Sequence, residues 1–116
     1  MATAPRSFFD GVRYVGRVRA ARATYEVYDA GKRYLLVWPS RRARGSYFLS
    51  EVPSSFVERV WRRFRGGITT SVEVRKRLGG PPFRQLGALL TLVAGRRARI
   101  VGRRGRSLAF RVLSRT

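Results

Sequence analysis

The chain of 116 residues contains no cysteine, no histidine and no asparagine, and only six carboxylates. Without cysteine there can be no disulfide. Without cysteine and histidine, the commonest metal ligands and the usual general base are also missing. The acids are scattered, at Asp10, Glu26, Asp29, Glu51, Glu58 and Glu73, so the sequence points away from an enzyme, and no cofactor or metal is expected. The longest apolar runs fall far short of the ~20 residues that cross a bilayer, and the opening MATAPRSFFDG lacks a signal-peptide core. A soluble cytoplasmic protein with no membrane partner is the expectation. A single glutamine, Gln85, and a single methionine complete a shortage of heat-labile residues that fits a hot habitat.

What is abundant is arginine. Of 26 cations only Lys32 and Lys76 are lysine, and the formal net charge is +20. Such self-repulsion in a small body points to a polyanionic partner, nucleic acid first. The planar guanidinium suits both bidentate phosphate contacts and stacking on rings. An apolar fraction of 44% is nonetheless enough for a real core, so one folded domain over residues 1–116 is expected.

Periodicity divides that domain into a sheet and a helical half. VRYVGRVR (12–19) alternates as a strand, which would put Val12, Tyr14 and Val18 on one face and Arg13, Val15, Arg17 and Arg19 on the other. TYEVY (24–28) and RYLLVWP (33–39) flank a short Gly-containing loop and read as a hairpin. Pro39 should close the second strand, and an arginine loop over 40–46 leads to a further strand at 47–49.

After Pro53 the spacing becomes helical. Ser55 with Glu58, and Thr70 with Glu73, read as capping boxes opening FVERVWRRF and TSVEVRKRL, and paired glycines end both. Pro81 and Pro82 fit the first turn of a third helix running to Gly95, apolar almost all round. ARIV (98–101) and SLAFRV (107–112), joined by GRRGR, form a terminal hairpin with a basic tip. The fold class is therefore α+β: an N-terminal antiparallel sheet, three helices and a C-terminal basic β-hairpin.

The second half has the element order of a winged-helix domain, which makes a duplex-binding transcriptional or chromatin protein one alternative. A recognition helix needs a polar face to read base edges, whereas the third helix offers only Arg84, Gln85 and Thr91 beside Gly87 and Ala88. A central or interfacial helix fits better, with a homo-oligomer joined through residues 83–94 as the corollary.

The basic clusters are Arg41, Arg42 and Arg44 in the loop and Arg96, Arg97, Arg99, Arg103, Arg104 and Arg106 in the second half. Neutralising ~5 phosphates would give log K a slope of about −3.5 against log salt on a single strand. Single strands are also held by aromatic rings on which bases stack. Trp38 and Tyr47, at the strand ends flanking the arginine loop, are the candidate stacking rings, with Phe48 beside them; Trp61 and Phe64 read as core.

Three segments together, RATYEVYDAGKRYLLVWPS, RGSYFLSEVPSSFVERVW and QLGALLTLVAGRRARIVGRRGRSLAFRVL, resemble the archaeal ThermoDBP-related single-stranded DNA-binding proteins over most of residues 22–113. The resemblance implies an α+β domain that lacks an OB-fold, a basic aromatic cleft for the bases of a single strand, and assembly into dimers or larger oligomers. Single-stranded DNA is thus the expected partner, bound without sequence preference. Duplex DNA is one alternative, and RNA bound by a ribosome-associated basic protein is the other.

Overall fold

The computed structural model describes residues 11–20 and 22–115. Four strands, β1 (Arg13–Ala20), β2 (Ala23–Asp29), β3 (Arg33–Pro39) and β4 (Tyr47–Pro53), form an antiparallel meander in chain order. Helices α1 (Ser54–Phe64), α2 (Ser71–Leu78) and α3 (Arg84–Ala94) follow, with the two-residue strand β5 (Ile68–Thr69) between the first two. Strands β6 (Ala98–Arg104) and β7 (Ser107–Val112) close the chain as a hairpin, and β5 joins the edge of β7 to give the sheet order β5–β7–β6. The fold class is α+β, with a winged-helix element order in its second half.

Side-chain alternation decides which face of the meander meets the helices. Val18, Val27, Leu36 and Val52 point into one core with α1 and α3, and Leu36, Val27 and Val52 are fully buried. Leu35 and Val37 face the other side, where Val12, Tyr28, Ala30 and Tyr47 pack around them. Strict alternation fails in β1. The register slips between Tyr14 and Gly16, and this bulge sends Val15 to the core beside Val18 while Tyr14 joins Tyr28 and Glu26 on the opposite face. The expected grouping of Tyr14 with Val18 is therefore wrong by one inserted residue.

The two expected capping boxes part company. Thr70 caps α2, its hydroxyl accepting from the Glu73 amide at 3.2 Å. Helix α1 instead starts at Ser54 with no side-chain cap bond. Glu58 is drawn away by Arg97, which donates to both of its carboxylate oxygens at 2.8 and 3.0 Å. A bidentate charged pair outcompetes one backbone cap.

Helix α3 is the centre of the molecule. Ala88, Leu89, Leu90 and Leu92 are buried, and meander, α1, α2 and β6 all pack on it. Its two inward polar residues are satisfied internally: Gln85 donates to the carbonyls of Gly79 and Gly80, at 2.9 and 3.0 Å, and Thr91 to that of Gly87, at 2.8 Å. The expected oligomer through 83–94 gains no support from this packing, in which the helix buries most of its apolar surface within one chain. Pro81 and Pro82 lie just before the helix rather than in its first turn. Phe83 takes the N-cap position in a left-handed conformation (φ 73°), which is costly for an aromatic residue. Gly87 makes room for that ring: a Cβ there would stand 3.2 Å from Phe83 and 2.7 Å from Val52.

Candidate nucleic-acid interface

In an antiparallel meander, the β1–β2 turn and the β3–β4 loop emerge at the same end of the sheet. The β3–β4 loop is held in shape by its own serines. The Ser40 amide donates to the Ser46 carbonyl at 2.9 Å, and the Ser40 hydroxyl accepts from the amides of Arg42 and Ala43 at 3.2 and 3.4 Å. Arg41 reaches across to the neighbouring turn and donates to the Arg22 carbonyl at 2.6 Å. The two connections thereby frame a cleft of about 650 Å³, a size typical of ligand sites.

The cleft combines rings with cations. Tyr25, Trp38 and Phe48 contribute the rings and Arg19, Arg22, Arg41 and Arg42 the charge. Trp38 and Phe48 are direct cross-strand partners, stacked with their ring centroids 5.6 Å apart and their planes inclined by 30°. Trp38 also stacks on Phe83 at 5.1 Å, and Tyr25 leans on it at the same distance. The indole is thus committed to its neighbours, whereas Phe48 is 49% exposed. Phe48 is the ring best able to meet an incoming base, with Trp38 as its backing.

Charge is segregated along the sheet. Arg13 pairs with Asp29 at 3.0 Å, Arg33 with Glu51 at 3.3 Å and Arg17 with Glu26 at 2.9 Å. The first two pairs lie at the end remote from the cleft, and Glu26 lies on the face turned away from the helices. Asp29 is held below the usual carboxylate range by the Gly31 amide and then by Arg13. Among the described residues no carboxylate lines the cleft, and Arg19, Arg22, Arg41 and Arg42 form no ion pair. Burial pushes the Tyr25 phenol up, keeping it neutral.

Of the residues singled out from sequence, Trp38, Arg41, Arg42 and Phe48 come together here. Arg44 stands exposed on the same loop, outside the cleft wall. Tyr47 lies on the opposite face of the sheet beside Leu35 and Val37, so it and Trp38 cannot grip one base between them. Arg97 is an internal residue: its guanidinium binds Glu58 and lies 4.5 Å from the Trp61 ring centre, which Arg65 approaches at 4.9 Å. The same contact holds Glu58 below its ordinary pKa. Arg96 is exposed at the end of α3, beside a smaller cavity of about 470 Å³ that Arg13 and Tyr34 also line. Arg99, Arg103 and Arg104 belong to β6 of the second sheet, and Arg106 to the turn between β6 and β7.

Four contributors to the cleft were missed in the sequence. Tyr25 was accessible in principle, since alternation places it with Val27 on the core face, and a meander puts Arg19 and Arg22 beside the arginine loop. Phe83 was not accessible, because its left-handed cap depends on the fit between α3 and the sheet. Among the described residues there is no cluster of three His, Cys, Asp or Glu able to hold a metal, and no helix is long and apolar enough to cross a membrane. Comparison with known proteins finds no matching family model, no matching curated protein and no matching solved structure.

Proposed function

We propose that the protein is a non-enzymatic, sequence-tolerant binder of single-stranded DNA, which it takes into the cleft between the β1–β2 turn and the β3–β4 loop. The observation that carries this reading is the half-exposed Phe48 ring, backed by Trp38 and set among four arginines that form no ion pair among the described residues. A base has a flat face of its own to lay on Phe48, and its flanking phosphates meet the guanidinium groups. Nothing in such a contact distinguishes one base from another. Four phosphates neutralised on a single strand correspond to a salt slope of about −2.8. The resemblance to ThermoDBP-related proteins points the same way.

The placement of α3 weighs against the duplex alternative. In a winged-helix reader this helix would enter the major groove, yet here Gln85 and Thr91 are buried and bonded to backbone carbonyls.

Two tryptophans make the reading testable. Trp38 lines the cleft, whereas Trp61 is fixed by Arg65, Arg97 and its bond to the Leu113 carbonyl. Titration with oligo-dT should quench the Trp61→Phe protein, which retains Trp38, and leave the Trp38→Phe protein unchanged. The reverse pattern would move the strand to another surface.

A further inference from the structure

The small sheet β5–β7–β6 carries a second concentration of charge that the cleft does not use. Thr69, Phe110 and Ile100 form a row across it and face the core, where Phe110 is fully buried. The neighbouring row, Ile68, Arg111 and Arg99, points outward and is exposed. Arg111 and Arg99 are direct cross-strand partners, an arrangement of like charges that destabilises a sheet when nothing lies between them.

Among the described residues no acid relieves the repulsion, and neither arginine forms an ion pair. Next along the same face, Gly102 stands opposite Ala109, and space above Gly102 is open. This leaves a low floor between the Arg99–Arg111 pair and the cations Arg103, Arg104 and Arg106 at the hairpin tip. The outward row holds no aromatic ring. It can follow a phosphate backbone but has nothing on which to stack a base.

We infer that this face is a second nucleic-acid site, which holds the phosphate backbone of another strand while the cleft holds the first, so that the protein brings two strands together and speeds their annealing. The inference rests on the cleft reading for its first strand. The two sites share no residue and belong to different sheets. Phe83, which stacks on Trp38, marks the cleft end of α3, and its other end feeds β6 about 16 Å away by helix rise. A site that sees only phosphate accepts a strand whose bases are already pairing. Neutralising both backbones also removes the repulsion that slows their encounter.

The test is annealing of two complementary oligonucleotides, one carrying a fluorophore and the other a quencher, with and without the full chain. The variant is Arg99→Gln with Arg111→Gln, checked by thermal melting. The wild type should speed annealing about tenfold or more at low salt, passing through a maximum as protein rises and each strand becomes separately coated. The variant should melt at or above the wild-type temperature, because the repulsive pair is gone, and keep its affinity for oligo-dT within about twofold while losing the acceleration.

Annealing by the variant at the wild-type rate would overturn the inference, and so would a wild type that binds oligo-dT tightly yet leaves annealing unchanged. A variant that loses affinity for long oligo-dT would show one continuous strand crossing both sites, which also contradicts it. Absence of any oligo-dT binding by the wild type would instead defeat the cleft reading itself.

Discussion

The two ends of the four-stranded sheet are built from the same residue types and differ in what faces the arginines. At the end where β1 and β3 begin, Arg13 and Arg33 meet Asp29 and Glu51. At the other end Arg19, Arg22, Arg41 and Arg42 surround Phe48 and Trp38, with no carboxylate beside them among the described residues. The cleft end holds four arginines against two, and the placement of the few acids widens that difference, neutralising one end and leaving the other strongly positive.

The most forceful way to break this contrast is to supply acids where there are none. Arg22→Glu combined with Arg42→Glu should lower affinity for oligo-dT by about a hundredfold at low salt and flatten the salt slope by about 1.4. Fluorescence anisotropy across a salt series reads both. Phe48→Ala should follow, costing roughly 1 to 3 kcal/mol of binding. The ring is half exposed, so circular dichroism melting should show a far smaller change in stability than in affinity.

Arg97→Ala sharpens the contrast from the structural side. It removes the bidentate bond to Glu58 and the stacking on Trp61, and should cost about 2 kcal/mol of stability while oligo-dT affinity stays within twofold. The same contact has a pH signature. Arg97 holds the Glu58 carboxyl below its ordinary value of 4.5, and the Gly31 amide and Arg13 hold Asp29 below 3.8. Depressed carboxylate pKa values contribute stability above the unfolded-state values, and that stability fades as pH falls below them. Melting temperature should therefore drop on acidification below about pH 4.5, less steeply in Arg97→Ala. Binding at fixed salt should stay flat around neutral pH, because the chain has no histidine and no carboxylate among the described residues lines the cleft.

The smallest effect belongs to the exposed pair at the neutralised end. Glu51→Gln should change stability by about 0 to 1 kcal/mol, and leave cleft binding untouched.

Much of this layout was legible in the chain. The four meander strands, the three helices and the terminal hairpin followed from apolar spacing and from glycine and proline punctuation, although β4 runs on to Pro53 beyond its expected end at 49, and the arginine loop after Pro39 identified one wall of the cleft. Three features were not legible, each for a tertiary reason. The bulge between Tyr14 and Gly16 reassigned the faces of β1; a glycine inside VRYVGRVR hints at an irregularity, yet only the pairing with β2 shows where the register slips. Glu58 left its expected capping role because Arg97, 39 residues away in sequence, offers a better bond. Tyr47 and Phe48 are adjacent, so they point to opposite faces, and choosing the one that joins Trp38 required the β3–β4 register that pairs Trp38 with Phe48. The helix 84–94 read as apolar almost all round, but only packing shows that the meander sheet covers it.

The central claim is that the aromatic, acid-free end of the sheet takes unpaired bases. Fluorescence anisotropy with a labelled oligo-dT and a labelled duplex of equal length, titrated at the same series of salt concentrations, tests it most directly. The account predicts tighter binding of the single strand by about 1 to 3 kcal/mol, with the preference abolished by Phe48→Ala. Equal affinity for duplex and single strand at every salt concentration would contradict it, leaving phosphate attraction alone as the basis of binding.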